Sequence, residues 1–576
     1  MKWKKRVLAA FLASLCLLSA CGLTGGEDGE QEPVDNVKVS DAYFGLAWYQ
    51  NGTLNPVLDS TSINRVLCEA LYEGLFEVTN NFTAENVLCE SYEGDGTTFT
   101  FTLRGDVTFW SGEALTADDV VASLQTAQLN EASPYHNRLT EVASIEAVGT
   151  NQVRIVLTSP NVNFPRLLDI PIFREGSADS GDFADGTGPY VPVEDGNQWR
   201  LAANENWHGG FLGSIRNITL VSMTRADAAM SSFQTGDVSL LRAARIDPNP
   251  PNVGGSVDTI QTASASLHYL GFNYGNPDLA NAGVRRALST ALDRQSLCST
   301  QLQTFAEPAV LPVNPQPSDA NLGLTMTADT ETAVLQLREA LQGSGTDGSD
   351  DPSGDGSTDG ETYYDEETGE YVTAEPDTPE EGADGSGTAA DATNASLSLR
   401  LLVNSDNAFK TAAAEQIAAL WNALDGVSVT VDAQPYDTYL SMLQSGDFDV
   451  YYGETQLTAD FDLRPLLSSG GSLNYGGYSS EAMASAITAY RSGDDVTGFY
   501  QTFLSEMPVV PIAFECGQMI IRKGLIDNYA PSPYNAFANL ETWTSNALKR
   551  SPDREAVRKT MFFEQPQMSA KRSFSF

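Results

Sequence analysis

Hydrophobic positions along the 576-residue chain change period repeatedly, and each change marks an element. In "FTFTLRGDVTFWSGEALTADDVVASL", residues 99–124, Phe99, Phe101 and Leu103 alternate with Thr100 and Thr102, the pattern of a half-buried strand. Arg104-Gly105-Asp106 reads as a turn, and Val107 to Trp110 as a returning second strand. Thr116 stands three residues before Asp119, the spacing of a capping box, and Val120, Val121 and Leu124 give the helix that follows its apolar stripe. The expected unit is a hairpin covered by a helix.

A second pattern occurs twice. "RADAAMSSFQTGDVSLL" (225–241) and "YDTYLSMLQSGDFDVYY" (436–452) each place a helix before Gln-[Thr/Ser]-Gly-Asp and an alternating strand after it. Gly236 and Gly446 suit the left-handed position that ends a helix. Two copies imply two α/β lobes built alike, with a cleft between them. A third stretch, "FNYGNPDLANAGVRRALSTALDR" (272–294), predicts a strand ending at Asn273, a Gly275-Asn276-Pro277 turn and a helix capped near Asn281. Val284, Leu288 and Leu292 form that helix's buried stripe, and Arg285 and Arg286 read as structurally paired or solvated rather than as anion ligands.

Composition changes this picture at the ends and in one interior stretch. Lys2, Lys4, Lys5 and Arg6 precede the apolar run Val7–Leu18, too short to span a bilayer, and Leu18-Ser19-Ala20-Cys21 looks like a bacterial lipobox. That pattern implies cleavage after residue 20, lipid on Cys21, and a Gly/Glu/Asp-rich tether over 21–37. Residues 343–391 hold sixteen acidic residues and no Lys or Arg, so an acidic insertion over 343–393 is expected to be disordered. Its flanks read as structured: Glu331 to Leu341 has helix period, and "LSLRLLV" (397–403) is a strand. Beyond residue 545 a basic tail, 546–576, is read as a flexible extension.

Charge and chemistry then narrow the classes. A net charge of −43 repels nucleic acid and anionic headgroups, so no nucleic-acid partner is expected and the membrane is met through the lipid alone. The three histidines are isolated along the chain, which argues against a His-based metal site, and no cofactor is expected. No Walker A, GxSxG, HExxH or Cys/His constellation appears. With 76 acids some glycosidase-like pair can always be nominated, so that signal has no specificity and no enzymatic activity is expected. "DGSTDGETYYDE" (355–366) fits a calcium-loop register through Asp355, Ser357, Asp359 and Glu366, but no helices flank it and its eighth position lacks an apolar residue.

Several stretches together carry a family resemblance: "LNPVLDSTSINRVLCEALYEGLF" (54–76), "FTLRGDVTFWSGEALTADDV", "GTGPY" (186–190), "LHYLGFNYGNPDLANAGVRRALSTALDR" (267–294) and "YDTYLSMLQSGDFDV". In this order, behind a lipobox, they resemble the extracellular solute-binding proteins, family 5, of oligopeptide, dipeptide and nickel ABC importers. The resemblance implies an α/β fold of the periplasmic-binding-protein kind, class II, three-lobed and hinge-closing, interrupted by the disordered acidic insertion. The implied lobe I is 38–76, 185–268 and 505–545; lobe II is 77–184; lobe III is 269–504.

The implied partners are a peptide or other small solute and the ABC permease subunits, the protein itself being a monomer on the outer face of the membrane. A peptide-signal receptor or surface scaffold on the same fold stays open, and relatives also take metal chelates, haem or sugars. In oligopeptide-binding relatives an Ala-Asp-aromatic aspartate pairs with the ligand's α-ammonium, which implies that role for Asp460 within Ala459-Asp460-Phe461. Here the residue two before Ala459 is Leu457 where Trp is frequent, and Leu463 stands where Pro often follows. Ser60, Thr61, Ser62, Phe272, Asn273, Glu454 and Gln456 are the further implied ligand contacts.

Overall fold

The computed structural model describes residues 43–49, 55–178, 183–196, 198–211, 213–225, 228–244, 246, 256–317, 322–343, 362–364, 371–373 and 396–543. Cys21, the tether, the basic tail and the calcium-loop residues Asp355, Ser357, Asp359 and Glu366 lie outside these. Within the acidic segment, Thr362–Tyr364 pairs antiparallel with Tyr371–Thr373.

A six-stranded mixed sheet organises the second half of the chain. Its order is Ala306–Pro308, Val509–Glu515, Ser266–Phe272, Val450–Gln456, Leu397–Asn404, Val427–Gln434. Ser266–Phe272 is buried at every position, as a strand covered on both faces must be, and its two neighbours run antiparallel to it. Leu397–Asn404 and Val427–Gln434 are parallel, joined through the helix Ala408–Asn422 in a βαβ crossover. Trp421 of that helix is fully buried and its Nε1 donates to Leu288 O at 2.9 Å, so the largest side chain in the core is also hydrogen-bonded.

The first half packs around a second core. Cys89–Gly94, Thr98–Leu103, Gln152–Leu157 and Val142–Val148 form an antiparallel sheet in that order, against the helix Ala117–Leu129. Thr116 and Asp119 make the capping box the spacing predicts, with Thr116 N donating to Asp119 Oδ2 at 2.9 Å. The expected hairpin is not formed. Both edges of Thr98–Leu103 are taken by Cys89–Gly94 and Gln152–Leu157. Residues 107–110 instead fold back on 113–115: Phe109 N donates to Glu113 O at 2.8 Å and Leu115 N to Val107 O at 3.1 Å. Val107 and Phe109 are buried all the same, which is why their alternation imitates a strand.

Distant parts of the chain share the remaining sheets. Gly45–Tyr49 runs parallel to Asn217–Met223, and Gly517–Arg522 is inserted between Leu240–Ala243 and Val257–Thr262. Both predicted helix-ending glycines have positive φ, +88° at Gly236 and +72° at Gly446. Asn281 caps its helix by accepting from Gly283 N at 2.8 Å. Arg285 is buried and spends its guanidinium on carbonyls, among them Met507 O at 2.9 Å and Leu279 O at 2.6 Å, a structural role as read from the sequence.

The "GTGPY" motif has a steric cause. Gly188 N donates to Leu71 O at 3.0 Å, and a Cβ on Gly188 would stand 2.5 Å from Leu71 C. Backbone lies on both sides of this contact, so neither can yield cheaply. Gly188→Ala is expected to destabilise the fold by about 2 kcal/mol, the middle of the overpacking range, read as a lower urea midpoint at unchanged slope.

Candidate functional site

The helix Ser62–Leu71 turns Asn64, Val66, Leu67, Ala70 and Leu71 inward. Helical spacing then sets Arg65, Cys68 and Glu69 on another face, and with Tyr72 and Glu73 they line a cavity of about 940 Å³. Its other walls come from Phe76–Asn80, Pro134–Arg138, Trp207 and His208, Thr262–Ala265, Gln456–Ala459, Gly517 and Gln518, and Ala530–Asn535. Segments from the beginning, middle and end of the chain meet here, and the volume is within the range of small-molecule sites.

Charge is arranged in locked pairs, with Arg65, Glu77, Glu85 and Glu541 outside any ion pair among the described residues. Arg138 is paired with Asp169 and lies over the rings of Tyr135 and Tyr534, at 5.1 and 5.7 Å from their centroids. Burial works against the Arg138 charge, and Asp169 outweighs it, holding the guanidinium above its ordinary value. Arg242 meets Glu69 in a two-pronged bond, 2.5 and 2.9 Å, and Ala536 N also donates to Glu69 at 2.8 Å. Glu73 accepts from Trp207 Nε1 at 2.9 Å and faces His208 Nε2 at 3.0 Å. Arg65 is exposed in the cavity and makes no ion pair among the described residues. Glu77 has no cation partner among them either; burial pushes its carboxyl up against the bonds from Asn535 and Ser532.

The residues implied by sequence are distributed unevenly about this cavity. Gln456 lines it. Glu454, two positions back, pairs with Lys410 and accepts from Ser266 Oγ at 3.1 Å. Ser60 is exposed ahead of the helix and Ser62 at its first position, and Thr61 donates through N and Oγ1 to Asp59 Oδ1 at 2.8 and 2.7 Å. Phe272 is in the hydrophobic core, and Asn273 Nδ2 donates to Gly446 O and Phe448 O at 3.1 and 2.9 Å.

Asp460 lies just behind the wall segment Leu457–Ala459. Its carboxylate is buried and accepts from Asn161 Nδ2 at 2.8 Å and Thr458 Oγ1 at 2.5 Å, with Arg491 Nη1 at 3.9 Å. Burial raises its pKa and Asp462 adds to this, against the Thr458 and Asn161 bonds and the Arg491 charge. Around it Glu141 bonds both Arg464 and Arg491, and Asp462 bonds Arg464 through two oxygens at 2.8 and 2.6 Å. Two arginines thus hold three carboxylates, joining the segment around 141–161 to that around 460–491.

Sequence reading missed Arg65, Glu69, Glu77, Arg138 and Asp169, because isolated charges on short elements look like solvated faces. Arg65 and Glu69 at i, i+4 were the available signal.

Residues 83–474 match the profile of bacterial extracellular solute-binding proteins, family 5 middle, well over half the chain. The chain belongs to this family. Glutathione-binding protein GsiB of Salmonella typhimurium is 27% identical over 309 residues, covering 50% of this chain. The chain spans 59% of the length of GsiB. Oligopeptide-binding protein OppA of Bacillus subtilis is 21% identical over 570 residues, covering 89% of this chain and 94% of OppA. Among solved structures, the ABC transporter substrate-binding protein CtaP of Listeria monocytogenes superposes with a TM-score of 0.62 at 18% identity, over 88% of this chain and 99% of CtaP. The family 5 solute-binding fold is therefore shared, and the family is one of extracellular binding proteins rather than enzymes. Among the described residues no helix is long and apolar enough to cross a membrane.

Proposed function

We propose that the chain is the substrate-binding component of an ABC importer, held to the outer membrane face by lipid on Cys21, that captures short peptides and hands them to the permease. The observation that carries the peptide reading is that uncommitted charges of both signs line the cavity. Arg65 offers a cation and Glu77 a half-buried carboxylate, with Glu85 and Glu541 as further unpaired acids, while Arg138 is matched by Asp169 and Arg242 by Glu69. A ligand with both a free carboxylate and a free ammonium complements this, and relatives named for glutathione and oligopeptide binding support the same class. Gln456 serves as a polar contact, and Asp460 acts indirectly by fixing the wall segment Leu457–Ala459. Lobe I is read as the sheets shared by the chain's start, middle and end, lobe II as 77–184 and lobe III as 269–504, closing over the ligand.

The reading is one of binding without conversion. The Cys68 thiol at the cavity wall is pushed up by burial, and by Asp59 and Glu69, so it supplies no nucleophilic thiolate. Calorimetry of the purified protein with di- to pentapeptides is expected to give saturable one-to-one binding, weakened by N-acetylation or C-amidation, and mass spectrometry to recover the peptide unaltered. Absence of binding across the panel, or a changed ligand mass, would overturn the proposal.

A further inference from the structure

Three neighbouring strands of the large sheet carry a cluster of side chains that are not among the residues lining the peptide cavity. Ser266–Phe272 pairs His268 directly with Glu454 of Val450–Gln456 and, on its other edge, with Ala513 of Val509–Glu515. Side chains alternate along a strand, so Glu515, two residues past Ala513, returns to the same face as His268 and Glu454. The donor atoms of His268, Glu454 and Glu515 all lie within 4.8 Å of one another. Far apart in sequence, they are assembled by strand register.

Two details of the imidazole point to a ligand. His268 is 0% exposed, its Nδ1 is 3.1 Å from the Tyr452 hydroxyl, and its Nε2 has no hydrogen-bond partner. A buried nitrogen left without a partner is costly, and this imidazole is the one that shares a cluster with two carboxylates. If Nδ1–H donates to the Tyr452 hydroxyl, the Nε2 lone pair is left available to a metal, and such an outer bond is what usually orients a metal-bound histidine.

We propose that His268, Glu454 and Glu515 form a binding site for a first-row transition dication such as Zn²⁺. One imidazole and two carboxylates form a nitrogen–oxygen set of the type these ions take, and imidazole separates it from calcium sites. Donors about 2 Å from a common centre lie closer together than the present 4.8 Å limit, a gap that rotation of the glutamate side chains closes. Glu454 is the exposed member of the three, which gives the ion an entry and a position for water. Lys410 competes there, since its ammonium pairs with Glu454. The ion would staple the strands that continue to Gln456 and to Gly517 and Gln518 at the cavity wall.

Zn²⁺ titration of the metal-stripped full chain by calorimetry, with metal content confirmed by elemental analysis after gel filtration, tests this. One ion per chain is expected, with affinity falling by at least about 100-fold in His268→Gln and in Glu515→Gln, more than the loss of an outer-shell partner. Lys410→Met, which removes the competing cation, is expected to tighten binding about tenfold. Binding by both ligand variants at unchanged strength would assign the ion to the acidic surface and overturn the site, as would absence of stoichiometric binding. Co²⁺-loaded wild-type protein gives a readout free of folding effects: a single set of paramagnetically shifted imidazole protons is expected, and none would overturn the proposal.

Discussion

Replacing Arg138 by methionine is expected to cost about 3 kcal/mol of stability and to weaken peptide binding at least about tenfold. The side chains of Arg138 and Asp169 are 18% and 12% exposed, so removing the cation leaves a carboxylate that water barely reaches. The cavity also loses the cation held over Tyr135 and Tyr534, and its local charge becomes more negative. Urea unfolding and calorimetry measure the two effects separately. In Arg138→Met combined with Asp169→Leu, stability returns because the stranded charge is gone, whereas affinity does not. Full recovery of binding in the double variant would show that Arg138 acts on the ligand only through the fold.

Arg491→Met should have an effect of similar size, about 3 kcal/mol, by leaving Glu141, Asp460 and Asp462 to Arg464 alone. Its pH dependence identifies the cause. In Glu141, burial pushes the carboxyl up, but the Arg464 and Ser159 bonds and the Arg491 charge outweigh it and hold the group low. Asp462 is likewise lowered, mainly by Arg464, against burial. A carboxylate with a lowered folded pKa contributes stability that is complete above its unfolded value, about pH 4, and is lost as pH falls through the folded value. Asp460 runs the other way: its raised pKa means that acidification relieves its burial, more so once Arg491 is removed. The stability gap between wild type and Arg491→Met should therefore be widest near neutral pH and narrow on acidification, first above about pH 4 as Asp460 protonates and then below it as Glu141 and Asp462 do. A gap constant from pH 7 to pH 3 would attribute the loss to packing instead.

Local rules made much of the scaffold readable. The Thr116 and Asp119 capping box, the Asn281 cap and the Gly446 helix end each depend on residues a few positions apart, and all form as the sequence indicates. The hairpin at 99–110 failed because alternation reports burial of Val107 and Phe109, not which strand they meet. Site residues were harder for the same reason. Asp460 stands out in sequence, yet one of its oxygens is engaged by Asn161, 299 positions away, while Arg138 and Asp169 have no motif and acquire meaning only when the turn and the loop are brought together. His268, Glu454 and Glu515 are the extreme case: far apart along the chain, they are brought together only by sheet register, which no local pattern reports.

The placement of Gly517–Arg522 between Leu240–Ala243 and Val257–Thr262 bears on how the molecule is made. Both mid-chain segments leave the ribosome some 260 residues before the strand that joins them, which at typical elongation rates is a delay of about 10 to 50 seconds. Throughout that interval the nascent polypeptide carries two open sheet edges with nothing native to cover them. That sheet is thus complete only once its last strand has been made, and a message truncated shortly before codon 517 would yield an aggregation-prone product rather than a smaller working binder.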